Sequence, residues 1–148
     1  MATVNQHPVP SKTLGWKITE LPFPYPSHKF PCVPAKLTTH VLDTTKGCPA
    51  RGVRVELWRL TGTGGNLLKT ATTNGDGRTD EPLLGGPEFV PGEYELVFYV
   101  GDYFATPASG QSRFLDKVPV RFGIANATVS YHVPLLCSPW AYSTYLGS

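Results

Sequence analysis

The fold is constrained most strongly by short runs in which apolar and polar residues alternate, each closed by a turn that contains glycine or proline. In the first run, Leu37, Thr39 and Val41 fall on one face of an extended chain, and the residues between them fall on the other. Turn sequences such as TGTGGN and NGDG separate the runs, and GDYFATPASG leaves room for one helical turn at most. This pattern predicts about seven or eight short strands, almost no helix and an antiparallel β-sandwich or barrel.

The first 36 residues differ in composition from the rest of the chain. The segment LPFPYPSHKFPCVP is rich in proline, which lacks a backbone donor and fixes φ, so a central strand or a helix is excluded there. Its aromatic side chains indicate an arm that lies on a surface. We therefore expect a Pro/aromatic-rich N-terminal arm over residues 1–36 and one β-sandwich domain over residues 37–148.

Composition argues against several classes of function. The net charge is +2 and no cluster of Lys and Arg accompanies it, so neither nucleic acid nor a membrane surface is expected as a partner. No apolar run approaches the roughly 20 residues of a membrane span. The N-terminal sequence MATVNQHPVPSK lacks the apolar core of a signal peptide, so we expect no secretion signal.

The cysteines indicate reduced thiols. Cys32, Cys48 and Cys137 are odd in number and show no C-x-x-C spacing, which is typical neither of a disulfide framework nor of a zinc site. We therefore expect a cytoplasmic protein; a peroxisomal location stays open, although the C-terminal Leu-Gly-Ser is not the usual signal. For Cys137, a small buried hydrophobic residue is a simpler interpretation than a nucleophile beside His132.

Two histidines within strand patterns are candidates for acid–base chemistry. The alternation directs both His40 and His132 away from the sandwich core, and an imidazole that titrates near neutrality is a common general base. Arg78 follows the NGDG turn, where a guanidinium can bind a carboxylate or an oxyanion. On the pattern alone, two unrelated histidines and a surface arginine remain the simpler interpretation. Because no third ligand stands at metal spacing, no metal is expected.

Four stretches taken together are more specific than any single residue. LTTHVLDTTKGCPA, TTNGDGR, GEYELVFYVGDYF and YHVPLLCSPWAYSTYLGS resemble, in order and spacing, the transthyretin-like family, and within it the 5-hydroxyisourate hydrolases of urate (purine) degradation. The resemblance implies an all-β, transthyretin-like (prealbumin-like) antiparallel sandwich of two four-stranded sheets with one short helix. It also implies a homotetramer, a dimer of dimers whose sites lie at the dimer–dimer interface.

The resemblance further implies a hydrolase that directs water onto a lactam of a small cyclic ureide, with no cofactor and no metal. The residues that match the catalytic positions of the family are His40, Arg78, His132 and Ser148. Those that match its substrate-binding tail are Tyr145, Leu146 and Gly147. Either histidine is then a candidate for the base, and the arginine stabilises the developing oxyanion.

One position departs from the family pattern. The tail of the family hydrolases reads Tyr-Arg-Gly-Ser, whereas Leu146 stands at the arginine position of this chain. The leucine removes a fixed positive charge and several donors. Two alternatives therefore stay open: an enzyme of the same fold that acts on a different cyclic substrate in specialised metabolism, and a carrier without activity that holds a small ligand, as transthyretin does.

Overall fold

The computed structural model describes residues 34–105 and 114–147. The predicted N-terminal arm, apart from its last three residues, and Ser148 lie outside the described residues. The strands are β1 (Lys36–Asp43), β2 (Cys48–Pro49), β3 (Arg54–Thr61), β4 (Gly64–Thr72), β5 (Leu84–Gly85), β6 (Gly92–Phe98), β7 (Val118–Ile124), β8 (Tyr131–Cys137) and β9 (Tyr142–Thr144). The helix α1 spans Val100–Phe104, and a 3-10 turn spans Gly86–Glu88. No helix in these two ranges is long and apolar enough to cross a membrane.

Two sheets form the domain. The first has the order β2-β1-β8-β9, with the short β5 also paired to β1, and the second has the order β4-β3-β6-β7. Strands β1 and β8 run parallel, whereas the other pairs within the described ranges are antiparallel. The prediction of a two-sheet β-sandwich with one short helix is confirmed, with a path of four strands in each sheet.

The core lies between the sheets, and β1 and β6 contribute alternate residues to it. In β1, Leu37 and Val41 are fully buried, and in β6 the alternate residues Tyr94, Leu96 and Phe98 are buried as well. Burying an apolar side chain of this size stabilises the fold by about 1.5–3 kcal/mol. The burial of these side chains therefore determines which face of β1 and of β6 points inward. The opposite face of β1 is thereby turned away from the core.

Three details differ from the sequence pattern. Two connections between the longer strands each contain a two-residue strand, β2 and β5, which pair with opposite ends of β1. β4 begins at Gly64, earlier than predicted, because the Gly-rich hairpin continues the ladder with β3. Glu56 alternates with apolar residues of β3 and yet is buried, where Arg54 pairs with it and the indole nitrogen of Trp58 donates to it at 3.2 Å.

Candidate active site

The parallel pairing of β1 with β8 places both strand histidines on the outer face of the first sheet. Thr38 of β1 stands opposite His132 of β8, and His40 is the next residue of β1 on the same face. The hydroxyl oxygen of Thr38 lies 2.9 Å from Nδ1 of His132. Both imidazoles are half-buried, as expected for side chains that point away from the core. The register therefore brings together two histidines that are far apart in the sequence.

A tight turn brings Arg78 to the same place. Asn74 Oδ1 accepts hydrogen bonds from the backbone nitrogens of Asp76 at 3.0 Å and Arg78 at 3.2 Å. At the end of the turn, the carbonyl oxygen of Gly77 accepts a hydrogen bond of 2.8 Å from the amide of Val41. Arg78 then forms an isolated antiparallel bridge with His40.

Gly77 is required for that approach. Its φ is +71°, a conformation that side chains disfavour, and a Cβ atom would lie 2.4 Å from the carbonyl oxygen of Val41. Any larger residue would push the turn away from β1. The glycine of the NGDG turn thus positions Arg78, the residue that follows it, beside His40.

Both imidazoles are held in the neutral form near neutral pH. Burial, and secondarily the Arg78 guanidinium, lower the pKa of His40 below its usual value of 6.5. Burial, Arg78 and His40 together lower the pKa of His132 below 6.5. Hydrogen bonds to the main chains of Asp76 and Thr38 respectively oppose these shifts without reversing them. Two neutral imidazoles beside a fixed positive charge offer lone pairs to an incoming proton.

The two histidines differ in access. His132 lines a surface cavity of about 220 Å³, together with Arg78. His40 does not line it, and its Nε2 atom is buried with no hydrogen-bond partner. An unpaired buried nitrogen costs free energy unless it accepts a proton or a ligand. The remaining lining residues of the cavity are Lys36, Thr38, Ser130 and Tyr131.

The cavity is positively charged. Lys36 and Arg78 both line it, and no carboxylate is among its lining residues within the described part of the chain. Lys36 and Thr38 were not among the residues predicted for the site, although the alternation that singled out His40 puts all three on one face of β1. This arrangement favours a ligand that carries negative charge or several carbonyl oxygens.

The C-terminal segment contacts His132 directly. The amide of Gly147 donates a hydrogen bond of 2.8 Å to the carbonyl oxygen of His132, and the two residues form an isolated antiparallel bridge. The last described residues therefore extend the first sheet beyond β9 and lie against the imidazole. Ser148, which the resemblance assigns to catalysis, lies outside the described residues.

The other two tail residues lie elsewhere. Tyr145 and Leu146 are 59% and 73% exposed and line a second cavity of about 270 Å³ beside β7. Its walls are largely apolar and include Phe122 and Val133. Tyr131 lines both cavities. Only Gly147 of the predicted substrate-binding tail touches the histidine site itself.

The remaining candidates have structural roles. Cys137 is fully buried, its sulfur lies 3.6 Å from the carbonyl oxygen of Leu42, and burial raises the pKa of its thiol to about 11. It therefore packs as a small hydrophobic residue. Within residues 34–105 and 114–147, no group of three His, Cys, Asp or Glu side chains is placed to hold a metal ion.

Comparison with known proteins agrees with this architecture. The chain is 54% identical over 115 residues to 5-hydroxyisourate hydrolase 2 of Rhizobium meliloti, which covers 76% of this chain and 96% of that protein. Among solved structures, it resembles the 5-hydroxyisourate hydrolase of Klebsiella pneumoniae, with a TM-score of 0.63 and 32% identity over 77% of this chain and 100% of that chain. It also resembles an (S)-allantoin synthase, with a TM-score of 0.71 and 50% identity over 78% of this chain, but spans only 44% of that protein.

The sequence profile of the HIUase/Transthyretin family matches residues 37–147, which is nearly the whole described domain. The resemblance inferred from the motifs is thereby confirmed, and with it the transthyretin-like form of the sandwich. The chain belongs to the HIUase/Transthyretin family.

Proposed function

We propose that this protein is a 5-hydroxyisourate hydrolase. Relatives about half identical in sequence over nearly their whole length carry that name. The observation that carries the proposal is the convergence of His40, Arg78 and His132, from three separate segments, on one positively charged site. A neutral base beside a fixed cation is what water attack on a lactam requires.

The site supports a direct hydrolysis. A neutral imidazole removes a proton from water while the water oxygen bonds to the lactam carbonyl carbon, and the carbonyl oxygen takes up negative charge beside Arg78. When the carbonyl re-forms, the carbon–nitrogen bond breaks and the departing nitrogen takes the proton back from the imidazolium. The products are a ring-opened carboxylic acid, which ionises, and a regenerated base. Water and side chains suffice for every step.

The charge of the cavity suits this substrate class. A cyclic ureide presents several carbonyl oxygens, and its ring-opened product carries a carboxylate. Lys36 and Arg78 are the cations that line the cavity, so the same positive field stabilises both the bound substrate and the bound product. In this proposal Ser148, the residue after Gly147 in the sequence, orients the water or its base, as the family resemblance implies.

We further propose that the protein acts as a homotetramer, a dimer of dimers with the site at the dimer–dimer interface. The cavity beside His132 opens on the outer face of the first sheet, so a second subunit is needed to enclose it. Exposed aromatic side chains near the C-terminus, Trp140 and Tyr142, are surfaces that an assembly would cover. Sizing by light scattering tests this part of the proposal.

One observation favours a second candidate function. The apolar cavity lined by Leu146 adjoins the histidine site through Tyr131. An enzyme of the same fold that acts on a larger, more apolar cyclic substrate would use both cavities. Its signature is slow turnover of 5-hydroxyisourate together with conversion of a ring that carries an apolar substituent.

A coupled assay separates the two candidates. Urate and urate oxidase generate 5-hydroxyisourate in the cuvette, and its absorbance decay is followed with and without the protein. A hydrolase accelerates the decay, and His40→Ala and His132→Ala abolish the acceleration. Folded wild-type protein that leaves the decay at its spontaneous rate would refute the first proposal.

A further inference from the structure

The hydroxyl of Thr38 is a hydrogen-bond partner of the His132 ring nitrogen Nδ1. The hydroxyl oxygen lies 2.9 Å from that nitrogen, and the two residues are direct partners in the β1–β8 ladder. Thr38 is β-branched and lies within a strand, so its side chain has few accessible rotamers. The hydroxyl is therefore held at a fixed place beside the imidazole.

The contact with Thr38 also bears on which ring nitrogen of His132 is free to act as a base. Nδ1 is engaged by the threonine hydroxyl, which is able to accept a hydrogen bond as well as to donate one. When the hydroxyl accepts, the proton resides on Nδ1 and the lone pair is left on Nε2, at the other edge of a ring that lines the cavity. Burial, Arg78 and His40 lower the pKa of His132, and the main chain of Thr38 opposes them, as an acceptor near the ring does.

We propose that Thr38 is a positioning residue that holds His132 in its Nδ1–H form, so that Nε2 takes the proton of the attacking water. This inference rests on the proposed hydrolase function and assigns a base and an atom within it. In the forward step, the water O–H bond breaks, Nε2–H forms, and the water oxygen bonds to the lactam carbon. The proton leaves Nε2 again with the departing ring nitrogen.

The chain supplies its own control for the loss of a threonine hydroxyl. Thr39 is buried on the opposite face of β1, and its hydroxyl donates a hydrogen bond of 2.7 Å to the carbonyl oxygen of Val133. Thr38→Val and Thr39→Val both remove one hydroxyl from neighbouring positions without changing side-chain shape. Only the first touches His132. If both hydroxyls had only a structural role, Thr38→Val and Thr39→Val would have the same effect on the His132 ring and on kcat.

The direct test is nitrogen-15 NMR of the histidine ring in the full-length protein, with the signals of His132 assigned by their loss in His132→Gln. At pH 8 the wild type is expected to show a protonated Nδ1 and an unprotonated Nε2. Thr38→Val should increase the Nε2–H population, whereas Thr38→Ser and Thr39→Val should keep the wild-type pattern. An Nε2–H ring in the wild type, or an unchanged ring in Thr38→Val, overturns the inference.

Kinetics give the second readout. Thr38→Val should lower kcat about tenfold and leave KM within about threefold, because positioning affects proton transfer more than binding. Thr38→Ser should restore most of kcat, and Thr39→Val should leave it near the wild-type value. If Thr38→Val retains full kcat, the positioning role is refuted.

The NMR result does not depend on turnover, so the two proposals fail separately. An inactive wild type whose His132 tautomer still depends on Thr38 would refute the hydrolase assignment and support the positioning contact. An active wild type whose His132 tautomer does not depend on Thr38 would support the hydrolase assignment and refute the positioning contact.

Discussion

The amide of Gly147 donates a 2.8 Å hydrogen bond to the carbonyl oxygen of His132, and the glycine lies directly against the imidazole ring. A Cβ atom on Gly147 would lie 2.7 Å from Cδ2 of His132 and 3.3 Å from its Cβ. The C-terminal segment is therefore fitted to one side chain of the site, and the absence of a side chain at position 147 is what allows this contact.

Replacing this glycine should disturb the site without unfolding the domain. In Gly147→Ala, the methyl group must displace the His132 ring or lift the tail, so we expect kcat/KM to fall at least tenfold. Because the tail lies at the edge of the sheet, the Tm should change by only a few degrees. The coupled assay and a thermal melt measure the two effects.

Gly64→Ala is the matched control, because a Cβ atom at Gly64 meets nothing within 4 Å. It should retain wild-type activity. Equal activity losses in the two variants would mean that contact with His132 is not the cause.

Arg78 should control both the oxyanion and the histidine pKa values. Arg78→Gln removes the guanidinium that lowers the pKa of His40 and of His132, so both values should rise. It also removes a stabilising charge, for which a loss of about 100-fold in kcat is typical. NMR titration of the ring carbons and the coupled assay measure these effects.

Arg78→Lys separates the two roles, because it keeps the charge but loses the planar pair of donors. We expect near-normal histidine pKa values together with reduced kcat. Histidine pKa values in Arg78→Gln that equal those of the wild type would contradict the electrostatic part of this account.

The pH dependence follows from the same shifts. The base must be neutral to accept a proton, and the pKa values of both His40 and His132 lie below 6.5 in the folded protein. Activity should therefore persist at pH 6.5 and decline only at lower pH, with an apparent pKa that belongs to the coupled pair. Rates are compared with the spontaneous decay at each pH. An acid limb centred above pH 7 would contradict a neutral-imidazole base.

The sequence predicted the sandwich well because its strands are amphipathic. Leu37 and Val41, or Tyr94 and Leu96, alternate with polar neighbours, and burial of one face leaves a single consistent register. The short strands β2 and β5 escaped prediction since two residues carry no periodicity. Each forms only because the folded chain brings it beside one end of β1.

The site was predictable only in part. Alternation alone turned His40 and His132 outward, but their proximity comes from the parallel β1–β8 pairing, which no local pattern specifies. The resemblance to a family identified the residues together. It gave no sign that Thr38 contacts His132, or that Leu146 lies in a neighbouring apolar cavity, because both depend on side-chain directions across strands.

A buried carboxylate should dominate the acid stability of the domain. Asp43 is fully buried, and although burial opposes its ionisation, hydrogen bonds from Thr45, Tyr103 and Lys46 lower its pKa from 3.8 to about 2. Because the folded value is the lower one, this stabilisation is complete above pH 3.8 and is lost as the pH falls through about 2. The shift corresponds to about 2 kcal/mol at neutral pH.

Asp43→Asn should therefore lower the free energy of unfolding by about 2 kcal/mol at pH 7 and by less near pH 2, measured by urea denaturation. Asp80→Asn provides the comparison, because Asp80 is exposed and accepts one hydrogen bond from Asn74. Its effect should stay within about 0.5 kcal/mol. A loss in Asp43→Asn that does not diminish at low pH would show that the charge is not responsible.

Leu146→Arg tests whether the departure from the family tail alters catalysis. Leu146 is 73% exposed and lines the apolar cavity, not the cavity that Arg78 and His132 line. An arginine there can extend its charged end into solvent, so stability should change by no more than about 0.5 kcal/mol. Because position 146 does not line the histidine cavity, kcat for 5-hydroxyisourate should stay within about threefold of wild type. A rise in kcat of tenfold or more would contradict this expectation and would place position 146 at the reacting ring. Because the family residue would then have restored the family reaction, that result would favour a chain adapted to a different cyclic substrate.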